Sequence, residues 1–377
     1  MCSAAMLYTR RETDRVKVVA DESVGRQIVD RLRQQRFKVV FIALRERPRM
    51  SPERQSRSAA VLCCRFMSEY AIGVDLGGTN LRAAAIDRSG KLLSQIAEAH
   101  FSQGREAVLT GIIETISSLR ARYGAEGLAG IGVAVPGFIH LKEGIVRNSP
   151  NLTLIENFPI RDEIERRLGT TVFLENDANA AALGEKWMGA GRGVDDLVLL
   201  TLGTGIGGGI ICAGHVVRGY LGMAGEVGHL IVVPNGNPCG CGSQGCVEKH
   251  ASATAVTGMA RLMHLGDNLA SKEVYDLAFE DSETGDKARE IWRVVGESLG
   301  AAIATLVNLL NFPLYLLGGG VLAAWDLFAP AMFRTVELRS ATYRFSRSTT
   351  RIERAALGNE AGLYGAAYLP LVEKQAG

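Results

Sequence analysis

Residues 71–79 read AIGVDLGGT, and residues 197–209 read LVLLTLGTGIGGG. Each stretch starts with a short apolar run typical of a buried strand and continues into a glycine-rich turn. A second apolar run follows each turn, at residues 83–86 and 210–212. We therefore interpret both turns as hairpins between antiparallel strands. The repetition predicts an α/β protein with two related lobes, each presenting one glycine hairpin.

Both hairpins have the chemistry of a phosphate clamp, because glycines let backbone N–H groups approach phosphate oxygens. Asp75 ends the first strand and can hold hydrated Mg²⁺, while the Thr79 hydroxyl can add a hydrogen bond. The second hairpin matches GxGxxG, but a strand follows it where a dinucleotide fold requires a helix. The sequence contains no GxxxxGK[ST] motif, which excludes a Walker-type site. A hairpin turn that binds no ligand would have a similar sequence, so this alternative stays open.

The tripeptide Glu175-Asn176-Asp177 lies between a predicted strand and an alanine-rich helix that runs to about residue 188. A helix dipole favours an ionised carboxylate at the helix N-terminus. An ionised carboxylate can accept a proton from an alcohol, so this position suits a catalytic base. An N-cap aspartate is the competing interpretation, and the two roles are compatible.

Two further segments could contact a ligand. The polar loop at residues 147–151 contains Asn148 and Asn151, which can hydrogen-bond a hydroxylated ligand or serve only in a turn. The run at residues 314–317, which we interpret as the last buried strand, ends in Gly318-Gly319-Gly320. Three glycines would let a flat ligand approach the backbone, or would make a tight strand-to-helix turn.

Residues 225–248, GEVGHLIVVPNGNPCGCGSQGCVE, contain a candidate metal site. Cys239, Cys241 and Cys246 lie within eight residues, and His229 lies ten residues upstream of the first cysteine. Three thiols and one imidazole form a complete tetrahedral ligand set for zinc. Because no coordination position stays open, we expect a structural zinc rather than a catalytic one. A glycine-rich turn with reduced thiols is the alternative.

The bulk composition narrows the class of protein. The 377-residue chain is long enough for two domains, and 47% hydrophobic with 22% charged residues is typical of a globular protein. A net charge of +2 gives no overall attraction to nucleic acid or membrane. Seven cysteines, an odd number, argue against a secreted disulfide framework. With no long apolar run and no signal-peptide pattern, we expect a cytoplasmic protein without membrane partners.

Residues 1–69 differ from the rest, being rich in arginine and nearly free of glycine. One amphipathic helix is plausible at residues 24–36. A nucleic-acid-binding arm is one interpretation. We favour a poorly ordered basic extension, and Met67, just before the first strong strand, would be a natural first residue.

From about residue 70 to the C-terminus, the chain resembles the ROK family of sugar kinases, repressors and related open reading frames, and most of all its bacterial glucokinases. The motifs that carry the resemblance occur in family order: DLGGTN, VPG, NSPNL, ENDANAAALGE, LGTGIGGG, GEVGH and CGCGSQGCVE. The resemblance implies a two-lobed, actin-like ATPase fold with a ribonuclease-H-like core in each lobe and a zinc knuckle. We expect one lobe at residues 70–177, completed by a C-terminal helix at 358–377, and a second lobe at 178–357.

The resemblance also implies roles for individual residues. Asp177 would be the general base for the sugar 6-hydroxyl. The other sugar hydroxyls would be held by Asn151, Asn176, Glu226, His229 and Glu248. The phosphates of ATP and Mg²⁺ would be held by Asp75, Gly77, Gly78, Thr79, Gly203, Thr204 and Gly205, and adenosine would lie against Gly318, Gly319 and Gly320. The structural zinc would be held by His229, Cys239, Cys241 and Cys246.

These roles predict ATP-dependent phosphorylation of glucose at the 6-hydroxyl, and the resemblance implies a homodimer or homotetramer. Three alternatives stay open. The sugar could be another hexose or an N-acetylhexosamine: N-acetylmannosamine, N-acetylglucosamine, mannose or fructose. Polyphosphate could replace ATP. A sugar-responsive repressor is disfavoured, because residues 1–69 do not read as a winged helix and nucleic acid is not an expected partner.

Overall fold

The computed structural model describes residues 6–9, 15–20, 38–43, 69–78, 80–99, 104–149 and 152–373. The chain divides into two compact units, Met1–Phe66 and Met67–Gly377.

In the first unit, the described residues form a small mixed sheet. Its strands are β1 (Met6–Thr9), β2 (Arg15–Ala20) and β3 (Lys38–Ala43), in the order β1-β2-β3. The β1 and β2 strands are antiparallel, and β2 and β3 are parallel. The helix predicted at residues 24–36 lies outside the described residues.

In the second unit, one mixed sheet is built around the first glycine hairpin. Its described strands are β4 (Tyr70–Leu76), β5 (Asn80–Asp87), β6 (Leu92–Ala99), β7 (Leu128–Val135) and β10 (Val172–Asn176). They lie in the order β10-β7-β4-β5-β6, with β4 antiparallel to β5 and parallel to β7. Between β7 and β10, strands β8 (Phe138–His140) and β9 (Ile145–Asn148) pair as a separate hairpin.

The second sheet repeats this plan around the second glycine hairpin. Its described strands are β11 (Leu197–Leu202), β12 (Ile206–Cys212), β13 (His215–Val216), β14 (Leu314–Gly318) and β15 (Arg351–Arg354). They lie in the order β13-β12-β11-β14-β15, with β11 antiparallel to β12 and parallel to β14. Numbered along the chain, both sheets read 3-2-1-4-5. The prediction of two related strand–turn–strand halves is confirmed.

Four helices pack on or between the sheets: α1 (Arg105–Tyr123), α2 (Ile160–Leu168), α3 (Asp177–Met188) and α10 (Ala361–Glu373). The apolar residues of α1, including Val108, Ile112 and Ile116, are buried against the first sheet. The α10 helix contacts α3, β4 and β7. Small side chains in this contact, including Ala180 on α3 and Ala366 on α10, let the two helices approach closely.

The helical region after the second hairpin covers the other sheet. It contains α4 (Glu248–Ala251), α5 (Ala253–Leu262), α6 (Ser271–Leu277), α7 (Glu283–Leu310), α8 (Trp325–Arg339) and α9 (Ala341–Ser346). The α7 helix is long and apolar enough to span a membrane by length and composition, but 61% of its most apolar window is buried. Its buried face, which includes Ile291, Val295, Leu299 and Ile303, packs in the core over the second sheet.

The interpretation of residues 314–317 as the last buried strand is confirmed, since β14 is buried along its length. A further strand that we did not predict, β15, follows and pairs parallel to β14. The β15 strand is short and rich in arginine, and only Ile352 of its four residues is buried. Its sequence therefore lacks the apolar run that marks a central strand, because it lies at the edge of the sheet.

Candidate active site

Four of the predicted ligand-binding residues line one cleft of about 320 Å³. They are Asp75, Asp177, Gly318 and Gly319. The cleft therefore combines the end of β4, the start of α3 and the end of β14. Arg82 and Asn359, which the sequence analysis did not select, line the same cleft.

At the start of α3, the capping role and the proposed base role fall on different residues. The Asn176 side chain is the N-cap, and its Oδ1 accepts hydrogen bonds from the N–H groups of Ala178 (2.9 Å) and Asn179 (3.1 Å). The Asp177 Oδ1 accepts one bond, from the N–H of Ala178 at 2.9 Å. Because Asn176 satisfies the helix end, the Asp177 carboxylate is not needed as the cap and faces the cleft.

The surroundings of Asp177 disfavour its charged form. The pKa of Asp177 is raised to about 6, mainly by burial and to a smaller extent by the nearby charges of Asp75 and Glu226. The Ala178 N–H acts in the opposite direction. A carboxyl group with a pKa near 6 is ionised at neutral pH and is more basic than an ordinary aspartate.

Asp75 forms an ion pair with Arg82 in the cleft, and Arg82 also lies 3.6 Å from Glu360 Oε1. Burial raises the pKa of Asp75, and the Arg82 charge opposes that rise. The sequence did carry a signal for Arg82, since a hairpin turning after Gly77 places residues 75 and 82 directly opposite each other. A partly buried carboxylate in the cleft fits the predicted Mg²⁺ site.

The glycine turns themselves do not line this cleft. Gly77 N–H bonds Asn80 O at 2.8 Å, and Gly203 N–H bonds Gly205 O at 2.9 Å, so both turns close tightly. Thr204 is exposed between Gly203 and Gly205. Of the other predicted phosphate ligands, Gly78 is exposed and Thr79 lies outside the described residues.

At the end of β14, Gly319 has a φ of +93°, and a Cβ there would lie 2.4 Å from Leu202 O. Only glycine fits this position without moving the end of β11. Gly319 and Gly320 are exposed at the C-terminal end of β14. This geometry agrees with the predicted surface for a flat ligand.

The predicted sugar-binding residues lie beside the second hairpin. Glu248 Oε2 accepts the Ile206 N–H at 3.0 Å, and a Cβ on Gly205 would lie 2.4 Å from that oxygen. Glu226 precedes a 3₁₀ turn, Val227–His229, and its charge contributes to the raised pKa of Asp177. The Asn176 side chain is already bonded, since its Nδ2 also donates to Gly137 O at 3.2 Å. Asn151 lies outside the described residues.

The candidate metal ligands converge. The ligand atoms of His229, Cys239, Cys241 and Cys246 all lie within 4.8 Å of one another. Cys239 Sγ is 3.6 Å from His229 Nδ1, and Cys241 Sγ is 3.7 Å from Cys246 Sγ. In a tetrahedral site with Zn–S bonds near 2.3 Å, neighbouring sulfurs lie roughly 3.8 Å apart. The four ligands therefore fit a tetrahedral ion.

One contact to the active-site strand came only from the structure. Glu175 is fully buried, at 0% exposure. Its Oε2 accepts a hydrogen bond of 2.7 Å from Nε of Arg218, a residue in the loop after β13. Its other oxygen accepts the Asn176 N–H (3.0 Å) and the Asn179 Nδ2 (3.1 Å). Nothing in the local sequence joins positions 175 and 218, which are 43 residues apart. Glu175 thus holds the residues on both sides of Asp177.

Two mixed sheets of identical strand order, with a carboxylate at the cleft between a strand and a helix, define an α/β sugar kinase fold. A sequence profile described as "ROK family" matches residues 71–373, and the chain belongs to that family. The family resemblance drawn from the sequence motifs is confirmed.

Individual relatives agree with this assignment. The glucokinase of Thermotoga maritima is 39% identical over 310 residues, which cover 78% of this chain and 95% of that protein. The crystal structure of a ROK hexokinase from Thermus thermophilus matches with a TM-score of 0.72 and 34% identity, covering 82% of this chain and 100% of that one. A ROK family glucokinase from Streptomyces griseus, solved in complex with glucose and AMPPNP, matches with a TM-score of 0.65 and 34% identity, covering 80% and 98%.

Proposed function

We propose that this protein is an ATP-dependent glucokinase that transfers the γ-phosphoryl group of ATP to the 6-hydroxyl of glucose. The observation that carries the proposal is the environment of Asp177. Its carboxylate lies in the cleft, Asn176 performs the capping in its place, and burial raises its pKa to about 6. A group with these properties can take a proton from a sugar hydroxyl at neutral pH.

The chain's own residues would supply mainly position and charge, which phosphoryl transfer requires most. Asp177 would accept the 6-hydroxyl proton as the oxygen attacks the γ-phosphorus. Gly77, Gly78 and Thr79 on one hairpin, with Gly203, Thr204 and Gly205 on the other, would hold the phosphates. The Gly77 and Gly203 N–H groups close the turns, so the donors would be the other backbone N–H groups of these turns. Gly318, Gly319 and Gly320 would lie against the adenosine.

Asp75 would hold Mg²⁺, and when bound, this ion would neutralise phosphate charge during transfer. Asp75 is now ion-paired with Arg82. On nucleotide binding, the Arg82 guanidinium would exchange the carboxylate for a phosphate oxygen, since both are anionic acceptors of the same geometry.

On the sugar side, we propose that Asn151, Glu226, His229 and Glu248 hold hydroxyl groups, with Asn176 orienting the backbone beside them. A structural zinc on His229, Cys239, Cys241 and Cys246 would hold these sugar-binding residues in position. Burial and the neighbouring thiols raise the pKa of Cys246 to about 12, so thiolates gathered here need a cation to stabilise them. Because His229 Nδ1 faces Cys239, its Nε2 is left for the sugar.

We infer that one lobe comprises residues 70–177 and 358–377, and that the other comprises residues 178–357. We also infer that the protein is a cytoplasmic homo-oligomer that acts in glucose metabolism. Closing the lobes would align the hydroxyl with the γ-phosphate and expel water from the cleft.

A coupled assay of ADP release tests the proposal across glucose, mannose, fructose, N-acetylglucosamine and N-acetylmannosamine. We expect glucose to give the highest kcat/KM. An assay of glucose 6-phosphate formation, which detects transfer from either donor, should show ATP preferred over polyphosphate. A higher kcat/KM for an N-acetylhexosamine would reassign the substrate. No turnover with any sugar, in protein that binds ATP, would overturn the kinase assignment.

A further inference from the structure

Glu185, in the last turn of α3, is a fully buried carboxylate that the proposed reaction does not use. We propose that Glu185 is a positioning residue for the nucleotide, because it fixes the backbone of residues 355–359 as one wall of the cleft. This inference rests on the proposed function, which supplies the nucleotide.

The partners of Glu185 are all backbone groups. Its Oε2 accepts the N–H of Ala190 at 2.8 Å and of Ala356 at 3.1 Å, and its Oε1 accepts the N–H of Leu357 at 2.7 Å. In the described part of the chain, no side chain donates to it. Ala356 and Leu357 lie 171 and 172 residues away in sequence, so one side chain ties α3 to a distant segment.

That segment connects β15 to the C-terminal helix and lines the cleft. Ala355, Gly358 and Asn359 line it together with Gly318 and Gly319. The Ala355 N–H bonds Leu317 O at 2.7 Å, so the sheet holds residue 355 and Glu185 holds the next two. With residues 355–357 fixed, the paths of Gly358 and Asn359 along the cleft are fixed as well.

A carboxylate suits this position although two effects oppose it. A buried negative charge is costly, and the C-terminal end of a helix disfavours an anion. Three N–H donors directed at two oxygens offset both effects, because an ionised carboxylate accepts on each oxygen. A glutamine would turn an NH₂ group toward at least one N–H donor and lose that bond.

The placement also links the two substrates. Asp177 begins α3 and Glu185 lies eight residues later, which is roughly 12 Å along the helix axis. Helix α3 therefore carries the proposed base, Asp177, at one end and Glu185, which binds the cleft-lining segment at residues 355–359, near the other end. Loss of Glu185 should change nucleotide binding and leave the sugar side in place.

The test compares Glu185→Gln with wild type by calorimetric titration of AMPPNP with Mg²⁺ and, separately, of glucose. We expect about a tenfold rise in the Kd for AMPPNP, the effect of leaving a buried N–H without an acceptor, and a glucose Kd within about twofold. The matched control is Glu165→Gln. The Glu165 carboxylate accepts a 2.7 Å hydrogen bond from the Val172 N–H, and neither residue lines the cleft, so both dissociation constants should stay unchanged.

An AMPPNP Kd unchanged in Glu185→Gln would overturn the inference, as would equal losses of AMPPNP and glucose affinity. Wild-type protein that binds glucose but no AMPPNP would overturn the proposed function itself. If Glu185→Gln does not fold, hydrogen exchange on wild type decides the question. AMPPNP with Mg²⁺ should slow exchange of the 356 and 357 amides while glucose does not, and exchange unaffected by AMPPNP would contradict the proposal.

Discussion

At the scale of single residues, three carboxylates near the cleft have different surroundings. Asp177 has one backbone donor and two negative neighbours, Asp75 has the cation Arg82, and Glu175 has Arg218. Burial raises the pKa of Asp75 as well, but the Arg82 charge opposes that rise, whereas Asp177 lies beside negative charges and its pKa rises to about 6. Different surroundings can thus assign different roles to chemically similar groups.

The raised pKa of Asp177 predicts a pH profile. A base must be ionised, and a carboxyl group with a pKa near 6 gains protons as the pH falls through 6. We expect kcat to be level above about pH 7 and to fall about tenfold per unit well below pH 6. Measuring kcat at saturating glucose and ATP from pH 5 to 8 checks this, and a level profile down to pH 5 would contradict it.

Glu226→Gln should move that profile toward lower pH, because it removes a negative charge that disfavours ionisation of Asp177. Glu114→Gln, an exposed change on α1, is the matched control and should leave the midpoint unchanged. A midpoint that does not move in Glu226→Gln would mean that the two carboxylates do not interact.

At the scale of elements, the segment from Glu226 to Glu248 joins the thiol cluster to the sugar side. His229 belongs to both, and Glu248 bonds the turn of the second hairpin. From Val233 to Ser243 only Cys239 is buried, so we expect the shape of this part to depend on the ligand cluster.

Removing one cluster ligand should therefore weaken sugar binding. We expect Cys241→Ser to lose bound zinc and at least about tenfold in glucose affinity, as for other disturbed metal sites, while AMPPNP affinity stays near wild type. Metal analysis and calorimetry measure both. Cys212→Ser, at an exposed free cysteine outside the cluster, is the control and should keep zinc and glucose affinity. Normal glucose binding by zinc-free protein would contradict the scaffolding role.

The loop after β13 should contribute to stability through Arg218. Arg218→Ala leaves buried Glu175 without its cation, and we expect a loss of about 1–3 kcal/mol in the free energy of unfolding. Arg147→Ala breaks an exposed pair with Glu143 and should cost less than about 0.5 kcal/mol. Urea unfolding monitored by circular dichroism compares the two, and equal losses would contradict a special role for the buried pair.

The elements that the sequence predicted well have strong local patterns. Helix α3 ends at Met188, as predicted, and both hairpins turn at the predicted glycines. The elements that it missed lack such patterns. The edge strand β15 has one buried residue, and Glu185 reaches donors 171 and 172 residues away. Periodicity and capping describe neighbours along the chain, so they cannot reveal pairs that only the folded sheets bring together.

At the scale of the whole molecule, every predicted site residue lies in the second unit, and the family match covers residues 71–373 of it. The Thermotoga maritima glucokinase aligns over 95% of its own length with this chain. We therefore expect the second unit to carry the kinase activity.

A protein that starts at Met67 should fold and phosphorylate glucose with a kcat/KM within about threefold of the full chain, a difference below about 1 kcal/mol. Steady-state kinetics and thermal unfolding of both proteins provide the comparison. A loss of more than tenfold, with the shorter protein folded, would show that residues 1–66 contribute to the active site.

Asp177→Asn is the sharpest check of Asp177 as the base, because it keeps the shape of the side chain and removes its basicity. Rapid-quench measurement of a single turnover, with enzyme in excess of ATP and with glucose saturating, isolates the chemical step. We predict a rate lower by about 10²–10⁴-fold, with glucose and AMPPNP affinities close to wild type. A single-turnover rate within about threefold of wild type would contradict the assignment of Asp177 as the base.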